Sequence, residues 1–239
     1  PYYGDIEEIL NSAEKAKEII GQISAFSGKN AKKSFQELLI SQTAAKAMLV
    51  AESGKPEQVK LSMQLVFEPY WMWGNETQIH QIVLNLCTNA FHAMGKSGGC
   101  LTVSGVVRQG KDMAENRFFS DKQEQEFYEL TFSDTGCGMS EEVKSQIFDP
   151  FYTTRKAGEG TGLGLYLVHR MVEEHRGTIT VESEPGRGTV FRIYFPVFRK
   201  DEKGDSDLWP GMHSVEIPEK GIRENADRAF LPDGSEAGL

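Results

Sequence analysis

The chain has 239 residues, with 26 Lys and Arg against 35 Asp and Glu, a formal charge of −9. That length allows one or two domains with a sizeable core, and the acidic balance argues against general affinity for nucleic acid or anionic membrane, although a local basic cluster can still serve a polyanionic ligand. Cys87, Cys100 and Cys137 are odd in number and lack CxxC spacing, so neither a disulfide framework nor a zinc site is indicated and a reducing, cytoplasmic setting fits best. No run of about 18 apolar residues and no signal peptide is visible. The chain starts at Pro1 without Met, so it reads as a fragment, and a membrane span upstream stays open.

Residues 5 to 27 place Ile6, Ile9, Ala13, Ala16, Ile20, Ile23 and Ser27 at alternating spacings of three and four, the seam of a helix that packs on other helices or on its own domain. A second helix is predicted from about Ser34 to Glu52, stopped by Gly54 and Pro56. Residues 58 to 67 alternate as a strand does. Asn75 then offers an N-cap to a helix over 76 to 94, ETQIHQIVLNLCTNAFHAM. At about 100° per residue, Gln78, Gln81, Asn85, Asn89 and His92 fall on one polar stripe, and Ile79, Ile82, Val83, Leu86, Ala90 and Ala93 fill an apolar face. No charged residue follows Glu76 in this helix. A solvated face would use Lys and Glu, so the uncharged stripe either finds backbone partners in the core or lines a cavity.

Strands are expected at about 100–108 and 127–134, separated by the charged stretch GKDMAENRFFSDKQEQE, a hairpin excursion without chemistry. A short helix near 141–147 follows, then a glycine-rich segment, a helix over 163–176 stopped by Gly177, and strands at 178–183 and 189–195 around the turn Glu184–Gly188. Mixed strands with three or more helices predict a two-layer α/β sandwich, a mixed β-sheet covered by helices on one face. From Phe198 onward the pattern dissolves into an acidic linker or disordered tail.

Three loops carry chemistry. Asp134 leaves the β-like run LTFS into the glycine turn TGCGM. It is either a turn former or a fixed carboxylate that accepts from an exocyclic amine such as that of adenine, with glycines letting backbone approach the ring. IFDPFYTTRK, residues 147–156, is either a surface loop with an aromatic anchor or a hinged lid in which Phe148 and Phe151 pin the base and Arg155 and Lys156 face an anion. Gly158, Gly160, Gly162 and Gly164 in GEGTGLGL then open a helix, where backbone N–H groups and the positive end of the dipole suit phosphates. The glycines are not a Rossmann fingerprint, because no strand precedes them, nor a P-loop, because no Gly-Lys-Ser/Thr follows.

In order and spacing these pieces resemble the N, G1, F and G2 boxes of the GHKL ATP-binding (Bergerat) fold shared by sensor histidine kinases, type II topoisomerases, mismatch-repair proteins and a heat-shock chaperone. NLCTNAFHAM is similar to the N box, DTGCGM to the G1 box, FDPFYTT to the F box, GEGTGLGL to the G2 box, and EPGRGTVFRIYFP to the closing turn and strand. The match covers about residues 34–197, and the F box with the closing strand resembles bacterial sensor histidine kinases in particular. ISAFSGK at the end of residues 5–27 resembles the second helix of their dimerisation and phosphotransfer hairpin. The implied organisation is a hairpin helix over 1–30, an ATP-binding catalytic domain over 31–197 and a tail over 198–239.

The resemblance implies ATP and Mg²⁺ as cofactors, with Asn89 holding the metal against the phosphates, Asn85 beside it, and His92 and Ala93 at the end of the same helix. Asp134 would receive the adenine amine, in a pocket shaped by Gly136, Gly138, Met139 and Thr189. Phe151, Tyr152, Thr153, Thr154, Arg155 and Lys156 would form the lid, and Gly160, Thr161, Gly162, Leu163, Gly164 and Leu165 would wrap the triphosphate. Hydrolytic members carry a Glu four residues before the metal-binding Asn, to deprotonate water. Here that place is Asn85, which implies transfer to another nucleophile with slow hydrolysis. The implied function is the catalytic core of a two-component sensor histidine kinase that passes the γ-phosphoryl group to a histidine upstream of Pro1, since none of His80, His92, His169, His175 or His213 sits beside an acidic residue on a hairpin helix. Partners would be that histidine helix, a second copy in a homodimer, and a response-regulator receiver domain, with no nucleic acid and a membrane only through upstream segments. A non-catalytic, nucleotide-gated module and a slow ATPase of the same fold are the alternatives.

Overall fold

A computed structural model describes residues 35–67, 69–113, 115–156 and 160–200. The helix expected over 5–27, Gly158 and the tail beyond 200 lie outside the described residues. The elements are β1 (Gln36–Leu39), α1 (Ile40–Gly54), β2 (Val59–Leu65), β3 (Tyr70–Gly74), α2 (Glu76–Met94), β4 (Gly99–Gln109), β5 (Glu126–Asp134), α3 (Glu141–Lys144), α4 (Gly164–Glu174), β6 (Thr178–Glu184) and β7 (Gly188–Arg199). Among the described residues no helix is long and apolar enough to cross a membrane.

The strands form one sheet in the order β1-β3-β7-β5-β4-β2, with β6 also on β7. All pairs are antiparallel except β2 with β4. On β5 the alternation is strict: Tyr128, Leu130, Phe132 and Asp134 share one pleat face with Phe191, Ile193 and Phe195 of β7. Helices α1, α2 and α4 cover that face, and the apolar residues meet them in one core containing Ile79, Ile82, Leu86, Val168 and Val172. The other face is ion-paired instead, with Arg108 on Glu129 at 3.2 Å and Arg192 on Glu182 at 2.7 Å. The mixed two-layer sandwich is the one expected from the order of strands and helices.

Four local expectations change. Residues 36–39 are not the first turn of a helix but a strand, because they pair with β3 from Gln36↔Gly74 to Leu39↔Trp71. That partner strand, YWMWG, is too short and too aromatic to declare a period. The closing strand runs to Arg199, past its expected end at 195, held by the pairing of Trp71 with Phe198 and Tyr70 with Arg199. The charged excursion after β4 carries a small core of its own: Phe119 packs edge-on to Phe127 and Tyr194 at centroid distances of 5.0 and 5.1 Å, closing one end of the outer face.

Candidate functional site

The helix α2 begins and ends where the sequence places it. The Asn75 side chain accepts from the Gln78 N–H at 3.2 Å, and Gly95 with φ 53° ends the run. Its apolar residues Ile79, Ile82, Val83, Leu86 and Ala90 are buried, and Ala93 is half-buried. The polar stripe divides into two parts. At its start, Gln78 turns to α4 and donates to Glu174 at 2.8 Å. Beside it the Asn75 N–H donates to His175 Nε2 at 3.0 Å, while His175 Nδ1 pairs with the Met171 carbonyl at 2.7 Å. Those partners require the neutral Nδ1–H tautomer, and burial holds the His175 pKa below its ordinary value. This end of the stripe is structural.

The other end is open chemistry. Asn85 Nδ2 is buried with no hydrogen-bond partner. One turn on, Asn89 Oδ1 accepts from Arg155 Nη2 at 2.8 Å, across 66 residues of sequence. His92 is exposed in the last turn. A cavity of about 290 Å³ flanks this helix between Val50, Leu84, Cys87 and Phe91, and it shares only His92 with the candidate residues.

Asp134 ends β5 on the helix-covered face, 7% exposed. Its Oδ1 accepts from the Gly136 N–H at 2.8 Å, and the backbone of Thr189 supplies a second bond. Desolvation raises the carboxyl pKa above its ordinary value and these two bonds oppose it. The turn that follows is pinned to α2 by the Cys137 N–H on the Ala93 carbonyl at 3.0 Å. It is also pinned to β6 by the Met139 N–H on Ser183 Oγ at 2.9 Å. Ser183 donates to the Gly188 carbonyl at 2.9 Å and lies 3.0 Å from Thr189 Oγ1. Ser183 is a supporting residue that the sequence did not single out; only the β6–β7 register, with Ser183 opposite Thr189, places it there. Gly188 has φ 87°, and a Cβ there would collide with the Asp134 carbonyl, so a glycine is required against this corner.

The lid residues follow α3. Phe148 packs on His169 of α4 at a centroid distance of 5.0 Å, which ties the start of the loop to the helix after the glycines. Phe151 is 74% exposed, with φ 68°. Its backbone lies so close to Gly162 that a Cβ there would strike the Phe151 carbonyl. Thr153 Oγ1 accepts from the Arg155 N–H at 3.1 Å. Tyr152 is half-buried, and Thr153, Thr154 and Lys156 are exposed. Gly160 and Thr161 then lead to α4, with Thr161 Oγ1 accepting from the Leu163 N–H at 3.3 Å. No side chain caps that helix start, and Gly164 and Leu165 lie in its first turn. The first N–H groups of a helix have no intrahelical partner and carry the positive end of the dipole.

A buried carboxylate backed by glycine turns, an amide-bearing helix and an uncapped helix start after a cationic loop are the features that the resemblance to the Bergerat fold leads one to expect. The chain belongs to the histidine kinase-, DNA gyrase B- and HSP90-like ATPase family, whose model matches residues 74–199. It is 31% identical to the sensor kinase CckA of Brucella abortus (strain 2308) over 86% of this chain and 21% of that protein. With the sensor histidine kinase ZraS of Klebsiella oxytoca it shares 37% over 53% of this chain and 24% of that protein. The chain thus spans about a fifth to a quarter of the length of these two relatives. Among solved structures, full-length ShkA in complex with AMPPNP superposes with a TM-score of 0.55 at 21% identity, over 69% of this chain and 31% of that one.

Proposed function

We propose that this domain binds Mg²⁺–ATP between α2, the Asp134 corner and the lid, and passes the γ-phosphoryl group to a histidine on a dimerisation helix outside the described residues. The observation that carries this is the Asn89–Arg155 hydrogen bond, because it draws together two segments that the sequence assigns to metal and phosphate. The donor set also suits the metal. Asn89 Oδ1 already accepts from a cation, and among the described residues no cluster of three His, Cys, Asp or Glu forms a cage. One protein oxygen plus phosphate oxygens is the usual way Mg²⁺ is held beside a triphosphate. Held there by Asn89, it would supply positive charge that offsets the charge developing on transfer.

The chain's own groups have separate tasks. Asp134 accepts the adenine amine, and the raised pKa makes its ionised form a poorly solvated acceptor that gains from a donor. The N–H groups at the start of α4 cradle phosphates, Arg155 and Lys156 add positive charge from the lid, and His92 stands at the cleft rim. Asn85 has no carboxylate with which to activate water, so transfer outruns hydrolysis. Of the described histidines, His175 is the one closed to phosphorylation by its own contacts. Both of its ring nitrogens are engaged, Nε2 by the Asn75 N–H and Nδ1 by the Met171 carbonyl. In the full protein the partners are a second copy through the phosphotransfer hairpin and a receiver domain that takes the phosphoryl group.

Mixing this protein with a separately made hairpin domain, labelled ATP and Mg²⁺ tests the proposal. Acid-labile phosphohistidine on the hairpin is expected, with slow steady-state release of phosphate. Nucleotide binding with no phosphohistidine overturns the kinase assignment, and rapid turnover without the hairpin would make the domain an ATPase.

A further inference from the structure

We propose that Ser183 sets the base preference of the Asp134 corner: by taking up the Thr189 hydroxyl proton it leaves the corner with acceptors alone, which suit a 6-amino purine and refuse a 6-oxo purine. This rests on the nucleotide assignment above and adds the residue that enforces the choice of base. Three neighbouring strands carry the groups concerned. Asp134 of β5 stands opposite Thr189 of β7, and Thr189 stands opposite Ser183 of β6. Residues directly opposite on paired strands share a face, so the three make one row on the helix-covered face, and all three are buried.

Ser183 has one proton for three contacts. Its Oγ lies 2.9 Å from the Met139 backbone nitrogen, 2.9 Å from the Gly188 carbonyl oxygen and 3.0 Å from Thr189 Oγ1. A backbone N–H only donates and a carbonyl only accepts, whereas a hydroxyl has one proton and two lone pairs. Ser183 therefore accepts from Met139 and gives its own proton to Gly188. Its second lone pair meets Thr189, and that contact is a hydrogen bond only when Thr189 donates. The reverse choice, Ser183 donating to Thr189, would face the Ser183 oxygen against the Gly188 carbonyl with no proton between them. Thr189 Oγ1 is thus left as an acceptor next to Asp134, whose Oδ1 takes the Gly136 N–H at 2.8 Å. The 6-amino group of adenine suits such a corner. A 6-oxo base presents a carbonyl oxygen there, for which neither ionised Asp134 nor Thr189 has a proton. Without Ser183, the Thr189 proton is free to turn to the carboxylate, poorly solvated through burial, or to the oxygen of a 6-oxo base. Either turn blunts the discrimination, so Ser183 is a positioning residue that acts through Thr189.

Calorimetric titration of ADP and of IDP, whose base carries a 6-oxo group in place of the amine, measures the preference as a ratio of affinities in the presence of Mg²⁺. The wild type should favour ADP. Ser183→Ala should narrow the ratio about threefold to tenfold, the span of one net hydrogen bond. Thr189→Val removes the acceptor oxygen and should narrow it too, whereas a Thr189 that donated to the base would make the same change widen it. That variant therefore reports the direction of the proton even where Ser183→Ala does not fold. In the Thr189→Val background, Ser183→Ala should cause no further narrowing, because no hydroxyl proton remains to be redirected. A packing role for Ser183 would lower both affinities by one factor and leave the ratio as it was. An unchanged ratio in either single variant, a widened one in Thr189→Val, or further narrowing in the double variant overturns the proposal. So does a wild type that binds ADP and IDP equally, which leaves the nucleotide assignment standing; a wild type that binds neither overturns that assignment itself.

Discussion

The Asp134 corner and the lid loop both depend on a glycine with no room for a side chain, but what surrounds that glycine differs. At the corner, Gly188 opens β7 directly beneath Asp134, and the paired strands β5, β6 and β7 fix the backbone on both sides. In the lid, Gly162 meets Phe151 within one loop, whose outside attachments include the packing of Phe148 on His169 and the bond from Arg155 to Asn89. A ladder hydrogen bond is shared with the whole sheet, so disturbing it is felt by the fold. Loop contacts open locally and at lower free energy. The corner proposed for adenine is therefore built as part of the core, and the loop proposed for the phosphates hangs on fewer, local contacts.

Changes at the two glycines should separate these behaviours. Gly188→Ala drives a Cβ into the Asp134 carbonyl at positive φ, and chemical denaturation should show a loss of about 3 kcal/mol in global stability together with loss of nucleotide binding. An unchanged denaturation midpoint would mean the corner is as pliable as the lid. Asp134→Ala removes a charged acceptor and should cost about 2 kcal/mol in nucleotide affinity by calorimetry. Its effect on the nucleotide-free fold should be smaller, because burial already disfavours the ionised carboxylate. A raised carboxyl pKa means stability that is present below the ordinary value of 3.8 and is lost as pH rises through the folded pKa. An amine donor restores it, so affinity should increase with pH through that folded value. Gly162→Ala should reduce affinity for Mg²⁺–ATP by about 1 kcal/mol and leave the denaturation midpoint within about 0.5 kcal/mol of wild type; a large stability loss would erase the distinction drawn between corner and lid.

The smallest effect should come from His175, at the end of α4 away from the glycines. Its pKa is depressed by burial, so its contribution to stability is present above the ordinary value of 6.5 and is lost as pH falls through the folded pKa. Protonation would put a second proton on Nε2 and end its bond from the Asn75 N–H, at the start of α2. Thermal unfolding of wild type should fall off with acidification below 6.5 more steeply than that of His175→Gln. Parallel pH profiles would remove His175 from any role in the acid sensitivity of the fold.

Helix α2 was legible to the residue, from Glu76 to Met94 with Asn75 as its cap, because cap, period and stop are local signals that a helix satisfies within its own length. The Asp134 turn and the glycines before α4 were legible for the same reason. What the stripe on α2 does was not. Gln78 and Asn85 lie on one polar face and each leaves one buried side-chain atom unpartnered, yet Gln78 also donates to Glu174 on the helix packed opposite. No spacing rule distinguishes them, since the difference lies in which helix packs opposite. Strands β1 and β3 were missed because each exists only in its pairing with a distant segment.

By itself, then, the sequence determined the kinds of element, their order, and the residue types available to hold a nucleotide, all of which depend on near neighbours and on side-chain chemistry. Tertiary structure alone decided which polar groups meet. It placed Arg155 on Asn89, Ser183 beneath the Asp134 turn and Phe119 against Tyr194, contacts between residues many positions apart whose formation depends on the twist and register of one shared sheet and the helices laid across it.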